Sequence, residues 1–318
     1  MKRVLISLTL LLSIFRAAAQ EEYGVVNISV CNMRRTADFD AEMVSQALLG
    51  TPVHILSESG ANPLPWPYIQ TPDGYKGWVH YAVVTRMTKE QYHAWNAAPK
   101  VVVTGLHGIV YKKMYVRSDV VSDVVAGDRL KFLKKRGAWL QVEFPDGRRG
   151  FVQRKYAAVE REWRMTLDQS PRAVLKTAQS MTGFPYIWAG MSPNGMDCSG
   201  FIRTVLFMHD IIIPRDAGPQ SLVGERIDRR DDLQPGDLVF FGSLKADGTA
   251  RVSHVGFYLG DGKFIHSLGY VKVGAFLPGT PDYDPLNAAR YLFGGRILPH
   301  IDDDPEITTT LTNPYYAE

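Results

Sequence analysis

Cys198 is one of only two cysteines in the 318-residue chain. It follows a loop rich in Pro, Gly and Asn, and downstream Phe201, Val205, Leu206 and Met208 fall at helical spacing. The spacing predicts Cys198 at or near a helix N-terminus, where unpaired amides favour a thiolate. The thiolate is the nucleophile, so an accessible, catalytic cysteine is expected there. Taken alone, Cys198 is equally compatible with a small buried hydrophobe. Acyl transfer at an amide also requires a base for the nucleophile's proton and a third group to orient that base. His254 and His266, in two successive strand-like segments, are the candidates.

Strand geometry offers a check on that pair. Residues 252, 254, 256 and 258 share one face, leaving 255, 257 and 259 for the core. A two-residue loop before the next strand would put His266 on the face opposite His254. A three-residue loop at Gly260-Asp261-Gly262 pairs 259 with 263, which sets His266 across from Gly256 and on the face of His254. Three-residue loops favour a left-handed glycine at their end, and Gly262 supplies one. Gly256 leaves space for an imidazole. Both rings are therefore expected to face Cys198.

Four segments in order carry a family resemblance. They are Tyr186-Ile187-Trp188-Ala189-Gly190 with Asp197-Cys198-Ser199-Gly200-Phe201, Pro214-Arg215-Asp216-Ala217, Ser253-His254-Val255-Gly256, and Phe264-Ile265-His266-Ser267. They resemble the NlpC-type cell-wall cysteine peptidases, over about residues 165–300. The second segment matches the branch that cleaves γ-D-glutamyl-L-diamino acid bonds, the dipeptidyl-peptidase VI-like enzymes. One departure is Ala189, where a second glycine is more usual. The resemblance implies Cys198 as nucleophile, His254 as base, His266 as orienting group, and Tyr186 beside the Cys198 amide as oxyanion donor. It also implies that Asp197, Ser199 and Asp216 hold the free amine of an N-terminal L-alanine. An acid next to a thiolate is unfavourable unless a cation compensates it, and the substrate amine would do so. Arg215 either supports Asp216, meets a substrate carboxylate or forms a structural ion pair.

The chain in order suits two or three domains. Met1 to Ala19 reads as a secretory signal, with Lys2 and Arg3, an apolar run to Phe15, and an Ala17-Ala18-Ala19 cleavage site. The run is too short to span a bilayer comfortably. The precursor's formal +3 charge falls to about zero once Lys2, Arg3 and Arg16 leave, which gives no support for nucleic-acid binding. Cys31 reads as a buried strand residue. No metal-ligand spacing stands out, and no cofactor is expected.

Between residues 22 and 160 short strands alternate with turns, and Pro72 to Val79 recurs as Pro145 to Val152. Met33-Arg34-Arg35 against Val116-Arg117-Ser118 is read as the matching upstream element. Two SH3-like barrels follow, at 22–87 and 100–160, with a helical linker at 88–99. For the branch resembled, the first barrel narrows the active site, and Trp66, Tyr68, Trp78 and Tyr81 are candidates to line that interface. The catalytic domain, 165–300, opens on a helix capped by Ser170-Pro171. Helices followed by strands give the α+β order of a papain-like core. Residues 301–318 read as a surface extension.

The chain is thus expected to be an exported, monomeric α+β cysteine endopeptidase, periplasmic or secreted, acting on released L-Ala-γ-D-Glu-diamino acid peptides. A buried acid waiting for the substrate amine would reject N-acetylated peptides by more than about a hundredfold. Competing classes are a wall-binding scaffold with a vestigial peptidase domain, an amidohydrolase or acyltransferase, and an endopeptidase acting on intact wall.

Overall fold

The structure, a computed structural model, describes residues 22–60 and 63–317. The expected signal segment lies outside the described residues. The first barrel contains β1 (Glu22–Val26), β2 (Val30–Arg34), β3 (Met43–Leu48), β4 (Pro52–Glu58), β5 (Pro67–Gln70), β6 (Lys76–Trp78) and β7 (Val84–Met87). Their order in the sheet is β3-β2-β6-β5-β4-β1-β7. Helix α1 (Lys89–Ala97) follows, started by a capping box between Thr88 and Gln91.

The second barrel contains β8 (Lys100–Val103), β9 (His107–Tyr111), β10 (Val120–Val125), β11 (Arg129–Arg136), β12 (Trp139–Glu143), β13 (Arg149–Gln153) and β14 (Ala157–Val159). Its order, β10-β9-β13-β12-β11-β8-β14, is the same topology. The Pro-Asp-Gly repeats occupy equivalent turns: Gly74 and Gly147 have φ of 76° and 86°, and each donates its N–H three residues back. The upstream match is corrected. Arg34 pairs with Trp78 and Tyr111 with Phe151, so Tyr111 is the counterpart of Arg34, while 116–118 lie in the following loop. The barrels are fused rather than strung: Leu49 of the first sits in the core of the second. Its N–H donates to the fully buried Asp128.

After α2 (Glu160–Arg164), the catalytic region opens with α3 (Pro171–Ser180), whose N-cap Ser170 accepts from the Ala173 N–H. The short pair β15 (Met191–Ser192) and β16 (Gly195–Met196) leads into α4 (Cys198–Phe207) and α5 (Ala217–Gln220). A six-stranded antiparallel sheet completes the fold. It uses β17 (Glu225–Ile227), β18 (Leu238–Leu244), β19 (Ala250–Gly260), β20 (Lys263–Leu268), β21 (Tyr270–Ala275) and β22 (Tyr291–Arg296), with α6 (Pro285–Ala289) inserted before β22. The order is β17-β22-β18-β19-β20-β21. Val255, Phe257 and Ile265 pack with α3 and α4 on one face. Phe241, Tyr258, Phe264 and Phe276 form a second apolar layer on the other. Both faces of β19 are therefore buried, beyond the single core face expected.

The last residues are not a surface extension. Ile212 bridges to Thr308, Ile307 is buried, and the Asn313 side chain donates to the Pro72 carbonyl. Helix α7 (Pro314–Ala317) brings the Tyr315 carbonyl to Tyr92 and Asn96 of α1. The segment straps the catalytic region to the first barrel.

Candidate active site

Helix α4 starts where it does because Asp197 caps it. The Asp197 backbone is extended and its Oδ1 accepts the Gly200 N–H at 2.7 Å, which leaves Cys198 as the first helical residue. The loop before it is pinned to the sheet, since the Tyr186 N–H donates to the Gly269 carbonyl at 2.9 Å. Gly190 and Gly200 let loop and helix touch: a Cβ on Gly200 would lie 2.0 Å from the Gly190 carbonyl oxygen. Ala189 adopts φ 61°, the left-handed region that glycine occupies without strain.

Cys198 is only 9% exposed, which corrects the accessible thiol expected. Burial, then the neighbouring Asp197 charge, push its thiol up to about 11. The Val255 and Ser199 N–H groups at the sulfur and the Arg215 charge oppose this without overcoming it. Burial thus works against the thiolate that the helix start alone favours. Cys198 shares its core with Val255, the residue that follows His254.

The two imidazoles meet as expected. His254 Nε2 and His266 Nδ1 are 2.7 Å apart, with ring planes at 81°. The turn that brings them together differs from the one expected. Gly260 pairs with Lys263 across a two-residue turn, and Asp261 and Gly262 have φ of 50° and 72°, the primed type favoured in hairpins. A bulge at Leu259 adds the residue that restores the face. The register then sets His266 opposite Gly256, whose hypothetical Cβ would lie 3.1 Å from that of His266. Both rings are buried beside Phe241 and Phe264. Burial lowers the His254 imidazole well below its ordinary range, and His266 to about 4.

Asp197, Ser199 and Arg215 form a closed network. Arg215, 2% exposed, donates to both Asp197 oxygens at 3.1 and 2.7 Å and to Ser199 Oγ at 2.8 Å. The Ala189 N–H also donates to Asp197. The compensating cation for Asp197 is thus Arg215, and neither Asp197 nor the buried Ser199 is left open for a substrate amine. Asp216 differs. Its side chain is 53% exposed, and its carboxyl is raised, by burial first, with Asp197 adding to it and Arg215 opposing. Burial pushes the Tyr186 hydroxyl up to about 12, so it remains a donor.

The first barrel reaches the site through residues the sequence reading did not select. Trp188 Nε1 donates to Glu42, the Met191 N–H donates to Gln46, and Arg203 of α4 pairs with Asp73 at 2.7 Å. Tyr75 lies within the influence of Asp216 and Arg215. Tyr81 is exposed and its ring meets that of His80 at a tilt, while Trp66, Tyr68 and Trp78 make their ring contacts within the barrel. Asp284, also unselected, places Oδ2 at 3.6 Å from His266 Nε2. In sequence, Asp284-Pro285 reads only as a helix start.

Comparison with known proteins fits this arrangement. Residues 183–284 match the NlpC/P60 family, and residues 29–85 match the bacterial SH3 domain. The chain is 32% identical over 260 residues to a gamma-D-glutamyl-L-lysine dipeptidyl-peptidase of Bacillus cereus, covering 79% of this chain and 76% of that one. A Bacillus subtilis protein of the same name is 28% identical, over 72% and 73% of the two chains. The crystal structure of an NlpC/P60 family protein from Bacillus cereus superposes with a TM-score of 0.72 at 26% identity, over 87% of this chain and 100% of that one. On its sequence, its fold and the residues gathered at Cys198, the chain belongs to the NlpC/P60 family.

Proposed function

We propose that this protein is an exported cysteine endopeptidase that cleaves γ-D-glutamyl-L-diamino acid bonds in wall-derived peptides with a free N-terminal L-alanine. The observation that carries the reading is that Cys198, the first residue of α4, shares a packed core with Val255 and Ile265, the chain neighbours of His254 and His266, whose rings are 2.7 Å apart. With Nε2 of His254 engaged by His266, Nδ1 is the nitrogen left to take the Cys198 proton. The sulfur attacks the γ-carbonyl carbon, and the oxyanion takes hydrogen bonds from the Cys198 N–H and the Tyr186 hydroxyl, each worth a few kcal/mol. The protonated His254 then gives its proton to the leaving amine of the diamino acid, and a thioester remains. Water, deprotonated by His254, attacks the thioester and restores the thiol.

Recognition of the N-terminus falls to Asp216 in this reading. It is the half-exposed acid next to the Arg215–Asp197 pair, and the names of the relatives, which specify a dipeptidyl-peptidase, support removal of a dipeptide from a free end. The first barrel, through Glu42, Tyr75 and Asp73, stands at that end of the site. A half-exposed acid is partly screened, so discrimination is smaller than the hundredfold a buried charge would give. Free L-Ala-γ-D-Glu-L-Lys should be cleaved with kcat/KM about tenfold or more above its N-acetylated form, a difference of about 1.4 kcal/mol. Equal values for the two peptides would remove amine recognition and favour action on intact wall.

A further inference from the structure

We propose that Asp284 is a positioning residue: its carboxylate sets the tautomer of His266 and, through it, leaves the Nδ1 lone pair of His254 free for the Cys198 proton. The proposal rests on the reading of Cys198, His254 and His266 as the reacting set. It starts from an orphaned atom. His266 is fully buried, its Nδ1 is taken by His254, and its Nε2 has no hydrogen-bond partner among the described residues. The group it faces is Asp284 Oδ2, at 3.6 Å.

A neutral imidazole carries one N–H, so the pair has two possible arrangements. If His266 is protonated on Nε2, its Nδ1 accepts the N–H from His254 Nε2, and His254 Nδ1 is a base. If His266 is protonated on Nδ1, it donates to His254 Nε2. The proton of His254 then sits on Nδ1, where no base remains for the thiol. The charged and titratable groups acting on His266 are His254 on β19, Lys272 opposite it on β21, Arg290 after α6, and Asp284. Asp284 is the one acid among them, and an ionised carboxylate only accepts. It therefore selects the N–H on His266 Nε2 and the productive arrangement.

Asp284 is itself held firmly. Its Oδ1 accepts the Asn287 N–H at 3.0 Å, and its Oδ2 accepts from Asn287 Nδ2 at 2.5 Å. The Asn287 side chain is oriented in turn by Arg290, which donates to Asn287 Oδ1 from Nε at 3.2 Å and from Nη2 at 2.9 Å. This has a consequence for substitution. In Asp284→Asn the cap still needs an oxygen toward the Asn287 N–H, so the new amide NH2 takes the Oδ2 place facing His266, at the loss of the bond from Asn287 Nδ2. A donor there enforces the wrong tautomer. Asp284→Ala removes the preference without reversing it, but it loses the cap on α6. Asparagine caps as well as aspartate, whereas alanine does not.

The expected result is opposite orders for activity and stability. Replacing the orienting carboxylate of a Ser-His-Asp hydrolase by an amide costs about 10⁴-fold. Here a second imidazole intervenes, so Asp284→Asn should lower kcat on the free peptide about a hundredfold, with KM near wild type and a thermal midpoint that falls less than in Asp284→Ala, because the cap on α6 is kept. Asp284→Ala should lower kcat only about tenfold, with a lower midpoint. Imidazole ¹⁵N NMR of the wild-type protein should show His266 protonated on Nε2. Unchanged kcat in Asp284→Asn, activity that follows stability across the two variants, or His266 protonated on Nδ1 would overturn the proposal. If the Asp284→Asn variant fails to fold, the wild-type NMR tautomer decides. Cys198→Ala, assayed alongside, separates the two levels. Retained turnover there overturns the reacting set, whereas its loss beside a fully active Asp284→Asn overturns only the role of Asp284.

Discussion

His266 has no exposed surface, and its ring lies against those of Phe264 and His254. Burial pushes its imidazole down to about 4, against an ordinary value near 6.5. The folded form therefore refuses a proton that the unfolded chain takes up below about pH 6.5. Its contribution to stability is full above that pH and is lost as the pH falls toward 4, by roughly 3 kcal/mol. His254 is depressed in the same sense. Urea unfolding between pH 7 and pH 4 should show a steeper loss for wild type than for His266→Gln, and parallel curves would contradict it. The other cysteine shows burial acting without chemistry. Cys31 lies in the first barrel's core, its thiol is pushed to about 12, and this is the inert strand residue expected.

At the scale of elements, the β19–β20 hairpin aligns the two rings through a short turn, one bulge and one glycine. Gly256 lies directly opposite His266, and a Cβ there would approach the Ile265 carbonyl oxygen at 2.9 Å and the His266 Cβ at 3.1 Å. The first contact is with backbone, which cannot rotate away. Gly256→Ala should therefore shift β20 and lengthen the 2.7 Å imidazole contact. Overpacking of this kind costs about 1–3 kcal/mol. A fall in kcat much larger than the change in KM is expected, together with a lower urea midpoint. A variant with wild-type kcat would show that the hairpin tolerates the displacement. A second bulge, at Ser253, sits one residue before His254, in keeping with the tendency of bulges to re-aim side chains beside active sites.

Across the whole molecule, the first barrel is locked to the nucleophile's helix by charge. Asp73, in the turn of the repeated Pro-Asp-Gly segment, meets Arg203 of α4 with 2% and 10% of their side chains exposed. An ion pair buried to this degree adds little net stability, yet removing one partner leaves an unpaired buried charge and costs about 3–5 kcal/mol. Asp73→Ala should be destabilising by that order and should raise KM, because the barrel then loses its hold beside Asp216. Asp73→Ala combined with Arg203→Met should recover much of the stability in thermal unfolding. If the double variant is no more stable than the single one, the loss does not come from an uncompensated Arg203. The C-terminal strap joins the same two bodies, through Asn313 to Pro72 and Tyr315 to α1.

The helix start at Cys198, the meeting of His254 with His266 and the repeated barrels were legible in the chain itself because each is a local pattern. A capped helix start, alternation along a strand and a duplicated turn depend on neighbours a few residues away. The shared face of His254 and His266 followed from strand parity, although the turn that delivers it proved to be a two-residue loop plus a bulge. What required the tertiary structure depends on residues far apart in sequence. Burial raised the thiol where the helix start had favoured a thiolate, since Cys198 packs among residues of α4 and β19. Arg215 took up the Asp197 charge, leaving Asp216 as the open acid. Glu42, Gln46 and Asp73 came to α4 and the loop before it because the barrel's orientation is set by its packing there. Asp284 met His266 only through the fold of β20 and α6, and no spacing along the chain encodes that contact.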